Sequence, residues 1–306
     1  DFMKGALREP DHRPILDDRC DNVLAGKSVL VYPEQGLGDF LQFCRFVPIL
    51  VDRGATVSLE TPKPLMELME GLDPRIKIIG SDAVDLTFDL KLPIMSLARF
   101  LSVSPEDLPW RFPYLRANAE KTAHWAQKIA WSTKPRIGLV WSGGLIKQAP
   151  DIMAVQELRN IPLAFFKAFR GVAADFFSLQ KGENGERQLA ELEAALWEGP
   201  KINNYADDFK SFADTAALIE NLDLVIPVDN STAHLAGALG KTVWMLNRYD
   251  TDWRWFLSID HSPWYPSVRI FRQDASRTWA PVIAQVLSAL EQFCTSGRPG
   301  LGFRSH

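Results

Sequence analysis

Twice along this chain a short apolar run of strand length ends in glycines. SVLVY leads into PEQGLGD at 28–39, and RIGLVWSGG spans 136–144. Around each, apolar runs alternate with segments whose apolar residues recur at helical spacing. Continuous apolar runs bounded by Gly or Pro read as strands buried on both faces. Their alternation with helices implies parallel sheets with crossover connections. Strands are expected at 27–32, 55–60, 76–80 and 86–93, then at 136–144, 174–180, 222–229 and 241–246. Helices are expected at 39–52, 64–72, 117–131, 162–171, 213–222, 231–240 and 281–293. The restart after Lys134-Pro135 predicts two doubly wound, Rossmann-like domains, 27–132 and 133–295, with a cleft between them. A chain of 306 residues suits that division, at about 150 residues per domain. Residues 1–26 are polar and rich in Pro, Asp and Arg, and read as a linker or surface arm; 296–306 read as a tail. DFMKGALREPDHRP is a poor domain beginning, so the chain is expected to be cut from a longer one.

Charge and cysteine usage narrow the class. A formal net charge of −4 with no dense basic cluster argues against nucleic acid as a partner. No apolar run reaches the roughly 18 residues of a membrane span, so an integral membrane protein is not expected. Cys20, Cys44 and Cys294 lack metal-ligand spacing, and an odd count fits a reducing, cytoplasmic compartment. Cys44, on the first helix, reads as a small buried residue.

The first glycine turn, EQGLGD, holds Gln35, Gly36, Gly38 and Asp39. Glycines there allow positive φ and close approach of a backbone to a ligand. Asp39 falls where a helix N-cap belongs, so capping and chemistry are both open to it. A Walker A loop is absent. A dinucleotide fingerprint would need a small residue where Leu41 stands, although Glu60 falls where a ribose-binding acid would sit. A nicotinamide-dependent oxidoreductase is therefore an alternative reading.

The second constellation is LDLVIPVDNSTAHLAGALGK at 222–241. A buried strand emerges at Asp229 and Asn230, and Ser231 or Thr232 is expected to cap the next helix. Its free N–H groups and the positive end of its dipole suit a diphosphate. His234, one turn inside, either reaches a phosphate or sugar hydroxyl or is a packed or surface histidine. Lys181 is either a phosphate partner or a solvated lysine. Asp250 and Asp252 form a D-x-D, a spacing that can hold a divalent metal. Trp253, Trp255, Trp264 and Tyr265 could stack on a sugar, although packing explains them as well.

Taken in order, EQGLGDFLQFCRFVPIL, RIGLVWSGG, FADTAALIENLDLVIPVDNSTAHLAGALGK and DTDWRWF…SPWYPSVRIFRQ resemble bacterial glycosyltransferases related to the lipopolysaccharide heptosyltransferases. The chain most resembles the glycosyltransferase region that follows tetratricopeptide repeats in many bacterial proteins, over roughly residues 24–290. The resemblance implies a GT-B architecture, with the donor held mainly by the second domain and the acceptor approached from the first. It implies inverting transfer from a nucleotide-sugar, no cofactor and no metal at the reaction centre. The acceptor would be a glycan, a lipid-linked glycan or a protein, and upstream tetratricopeptide repeats would bind a protein partner. Asp39 matches the general base of the family. Asp229 matches the acid that lies against the donor, and Asn230, Ser231, Thr232 and His234 accompany it. An inverting transfer needs such a base, because the acceptor hydroxyl must lose a proton as it attacks.

The chain also departs from the family. After 136–144, where relatives carry polar residues ahead of an Arg-Ser pair, it reads GGLIKQAPDIMAVQELRNIP. Arg159-Asn160 stands nearest that pair, and Lys147 is the charged group closest to the glycines. Pro227 and Asn230 are milder departures. The altered loop supports a further alternative, a binding or scaffolding module that kept the fold and lost the chemistry.

Overall fold

The computed structural model describes residues 24–82, 87–103, 108, 111–129, 131–144, 157–194 and 197–295. Two sheets carry it. The first has the order β3-β2-β1-β4, with β1 at Ser28–Tyr32, β2 at Thr56–Glu60, β3 at Lys77–Ile79 and β4 at Leu90–Pro93. The second has the order β10-β9-β8-β5-β6-β7. Its strands are β5 Arg136–Val140, β6 Asp175–Ser178, β7 Ile202–Asn204, β8 Leu224–Pro227, β9 Val243–Asn247 and β10 Val268–Arg272. All ladders joining these strands are parallel. Each sheet winds outward from a central strand and then restarts on that strand's other side. The reversals fall between β1 and β4 and between β5 and β8. Crossovers leave such a point on opposite faces and open a crevice at the carboxyl ends of the strands, where ligands of this architecture bind.

The helices are α1 Leu37–Phe43, α2 Val47–Asp52, α3 Met66–Met69, α4 Leu97–Phe100 and α5 Ala119–Lys128 in the first half. In the second half they are α6 Glu183–Ala194, α7 Phe212–Glu220, α8 Ser231–Ala238 and α9 Ala280–Thr295. The helix expected at 39–52 is not continuous. A 3-10 turn at Cys44–Phe46 divides it, because Pro48 has no N–H to give to Cys44. The segment expected as a helix at 162–171 is a 3-10 helix, Leu163–Gly171. Its buried residues Leu163, Phe166 and Phe169 recur every third position, the period that eclipses side chains in a 3-10 turn. The strand expected from 86 begins only at Leu90.

One apolar cluster runs without a break from the first half into the second. It joins Val29 and Leu59, Phe40 and Leu41 of α1, Leu235 and Ala236 of α8, and Val225 and Met245 under the second sheet. A separate cluster covers that sheet's other face, where Ile137, Leu139 and Trp141 meet Phe166, Phe169 and the Val282, Val286 and Leu290 stripe of α9. Burying each Leu or Phe contributes about 1.5–3 kcal/mol. Away from the strand ends, Lys121 of α5 bridges Glu67 of α3 at 2.8 Å and Asp214 of α7 at 2.7 Å. Among the described residues no helix is long and apolar enough to cross a membrane.

Candidate functional site

The turn after β1 is built differently from what its glycines suggest. The left-handed residue is Gln35, with φ 45°, while Gly36 is extended at φ −94°. Asp39 does cap α1: its Oδ2 accepts the Gly36 N–H at 2.8 Å. Gly38 answers to a neighbour from the other half. A Cβ there would lie 2.9 Å from Cδ2 of His234 and 3.6 Å from Cα of Ser231. The absent side chain lets α1 lie directly against the first turn of α8. That contact sets the first turn of α1, which carries Asp39, against the start of α8.

On the far side, the switch point of the second sheet is fixed by two amides. Gln180 is fully used: its Oε1 accepts from the N–H groups of Trp141 and Ser142, and its Nε2 donates to the carbonyls of Ser142 and Lys181. Asn230 caps α8, its Oδ1 accepting from Thr232 N at 3.0 Å and Ala233 N at 3.1 Å, while its Nδ2 donates to the Ser142 carbonyl at 3.3 Å. The expected caps, Ser231 and Thr232, are thus displaced by Asn230, whose short amide sits one residue earlier and reaches two N–H groups at once. Seven of the eight α8 residues are buried, all but Ser231. Small side chains at Ala233, Ala236, Gly237 and Ala238 make that density possible, and a Cβ on Gly237 would come 2.7 Å from the Tyr265 ring.

Around this helix start the electrostatics are unusual. Burial raises the Asp229 carboxyl above the ordinary range, against the pull of Arg159. The buried indole N–H of Trp255 interacts with the same carboxyl, although it reaches no hydrogen bond of good geometry. His234 is buried. Its Nδ1 lies 2.8 Å from the Tyr265 hydroxyl, and its ring packs on Trp255 at 5.3 Å between centroids. Burial, with Arg254, Arg45 and Arg159 adding like charge, pushes its pKa down to about 3, so the imidazole is neutral. Three arginines therefore set the potential where α8 begins.

Arg254 is the residue that sequence reasoning missed. It lies on a short turn, Trp253–Trp255, after β9, and its side chain is 7% exposed. All three guanidinium nitrogens are engaged. Nε donates to Gln42 Oε1 at 2.7 Å, Nη1 to Asp252 Oδ1 at 2.8 Å, and Nη2 to Asp39 Oδ1 across the junction. Its one sequence signal was its position between two tryptophans in DTDWRWF, which drew attention to the rings instead. Arg159 donates to the Gly144 carbonyl at 2.9 Å and lies in the field of Asp229, Asp39 and Asp252, which burial offsets to leave its pKa lowered. Its Nε is buried without a partner. Arg45 is buried, giving Nη1 to the Trp264 carbonyl at 2.7 Å and Nη2 to the Tyr114 hydroxyl at 3.0 Å, between the Tyr114 and Tyr265 rings.

The remaining candidates separate. Lys181 Nζ donates to the Ala206 carbonyl at 2.9 Å and stands 3.6 Å from Glu186. The two acids of the D-x-D face arginines, Asp250 with Arg277 and Asp252 with Arg254. Among the described residues no cluster of three His, Cys, Asp or Glu could hold a metal ion. Trp255, Trp264 and Tyr265 are buried and belong to the core, whereas Trp253 is 56% exposed. Burial pushes the Cys44 thiol up to about 12, so it is an inert core group. Lys147 and most of its loop lie outside the described residues. The assembled site brings together the carboxyl groups of Asp39, Asp229 and Asp252, a capped helix N-terminus, and the guanidinium groups of Arg254 and Arg159.

Comparison with known proteins identifies the fold. No family model matches the chain. Protein FlbA of Caulobacter vibrioides is 28% identical over 297 residues, 89% of this chain and 48% of its own length. The chain thus spans about half of that curated relative. Among solved structures, the ADP-heptose lipopolysaccharide heptosyltransferase II of E. coli superposes with a TM-score of 0.61 at 13% identity, over 88% of this chain and 99% of that one. A family 9 glycosyl transferase from Veillonella parvula gives 0.62 at 11% identity, over 90% and 99%. TibC, an iron-containing dodecameric glycosyltransferase from enterotoxigenic E. coli, gives 0.56 at 12% identity, over 88% and 77%. TibC has also been solved with ADP-D-β-D-heptose. The chain has the α/β GT-B fold that these structures share, as the sequence motifs led us to expect.

Proposed function

We propose that the chain is an inverting glycosyltransferase that moves a sugar from a nucleoside-diphosphate donor to an acceptor hydroxyl. The observation that carries this reading is the contact of Gly38 with His234 and Ser231, which sets the helix turn that holds Asp39 against the start of α8. The positive end of the helix dipole there suits the donor's diphosphate. In the step itself, an acceptor oxygen forms a bond to the anomeric carbon from the face opposite the diphosphate. The bond from that carbon to the diphosphate oxygen breaks, and its electron pair leaves with the diphosphate. The acceptor's proton passes to Asp39, acting as general base. Asp229 and His234 line the donor side, His234 as a neutral hydrogen-bonding group. Arginine charge and the helix dipole meet the diphosphate's charge at the centre, the part a divalent cation has in other transferases. The acceptor is a glycan, a lipid-linked glycan or a protein; upstream tetratricopeptide repeats would recruit the last. The setting is cytoplasmic.

A thermal-shift panel of nucleoside diphosphates and their sugars tests the donor assignment. A ligand at a hundredfold excess over Kd stabilises by about 2.7 kcal/mol, and a silent panel refutes the reading. The Asp39→Asn variant should then lose transfer by a factor of about 10²–10⁴. A second reading, a binding module without transfer, is favoured by the engagement of both Asp39 oxygens. It predicts a binding nucleotide-sugar that the protein neither transfers nor hydrolyses.

A further inference from the structure

Arg254 suggests how the site is kept ready. We propose that Arg254 is a catalytic residue, the cation that takes up the charge of the departing diphosphate, and that Asp39 holds it at the junction until an anion arrives. This rests on the donor reading above.

Geometry carries the argument. Arg254 and Asp252 form one unit: Asp252 accepts from both the backbone N–H and Nη1 of Arg254, so the pair travels together. Two contacts cross to the other half of the chain, Nε to the Gln42 amide and Nη2 to the Asp39 carboxylate, and only the second pairs opposite charges. Exchanging Asp39 for another anion therefore leaves the rest of the turn in place. The neighbouring Trp255 packs on His234 of α8, which ties the turn that carries Arg254 to the helix that would receive the diphosphate. Its charge acts on both groups of that site, depressing the His234 pKa and pulling against the raised Asp229 pKa.

Charge balance gives the direction of the exchange. In the free protein Arg254 is shared by two carboxylates, Asp39 and Asp252. During transfer the acceptor's proton neutralises Asp39 while negative charge accumulates on the leaving oxygen. Both changes weaken the Arg254–Asp39 contact and strengthen an Arg254–diphosphate contact. The arginine that pairs with the base thus stabilises the leaving group, and the proton transfer itself releases it. A buried guanidinium positioned in advance is worth more at such a centre than one drawn from solvent.

Asp39 and the diphosphate then compete for one cation, and linkage makes the competition measurable. Isothermal titration with ADP, UDP, GDP, CDP and dTDP identifies the binding nucleotide. Asp39→Asn should bind it about fivefold tighter or more, although every ordinary damaging effect runs the other way. Arg254→Gln should bind it at least about tenfold more weakly, having lost a charged hydrogen bond. The double variant should bind no more tightly than Arg254→Gln alone. Asp39→Ser carries the same expectation should Asp39→Asn fail to fold. Unchanged or weaker binding by the Asp39 variants overturns the Arg254 assignment and leaves the donor reading standing. So does a gain that survives in the double variant. A wild-type protein that binds none of the five nucleotides overturns both.

Discussion

His234 shows how a single residue is committed by its surroundings. Its folded pKa, about 3, lies below the ordinary 6.5, so between those values the unfolded chain takes up a proton that the folded one refuses. The stability at stake is fully present above about 6.5 and is lost as the pH falls toward 3. The slope is at most about 1.4 kcal/mol per pH unit, or about 2 kcal/mol between pH 6.5 and 5. Urea unfolding across that range should therefore show a steeper decline for the wild type than for His234→Gln; parallel curves would refute the burial argument. Asp39 is committed in the other sense, with one oxygen on its own helix and one on Arg254. The sequence offered capping or chemistry for it, and the structure shows that capping leaves room for a second partner.

Between elements, the decisive contact is α1 against α8. Replacing Gly38 with Ala forces a methyl to within 2.9 Å of the His234 ring. Overpacking of this kind costs about 1–3 kcal/mol, which a shift in urea midpoint would report. If the proposed transfer holds, the same change should depress it more than an equally destabilising substitution in the α9 core, because it alone pushes the Asp39 turn away from α8. This contact also marks where sequence reading ends. Central strands were legible because burial on both faces leaves a continuous apolar run. Two others are not: β7 reads INN, with no apolar run, and β10 lies in a stretch that reads only as a motif. Gly38 is legible as important, but its contact with a side chain far away in sequence is not. Arg254 was illegible for the same cause, its partners Gln42 and Asp39 coming from the other half.

At the scale of the molecule, two kinds of joint hold the halves together. Apolar packing is continuous from β1 through α1 and α8 to the second sheet. Polar joints flank it, with Arg45 reaching the Trp264 carbonyl on one side and Lys121 tying Glu67 to Asp214 on the other. Burial at this density couples the halves, so calorimetry should give a single transition with equal calorimetric and van't Hoff enthalpies. Two resolved transitions would show that the shared core is energetically divisible. The Gly38–His234 contact has a consequence for how the sequence can vary. Positions 38 and 234 fill one space between them, so a larger residue at either must be matched by a smaller one at the other. Substitutions in the two halves are therefore not independent. In any set of descendants of this chain, the two positions should change together or not at all.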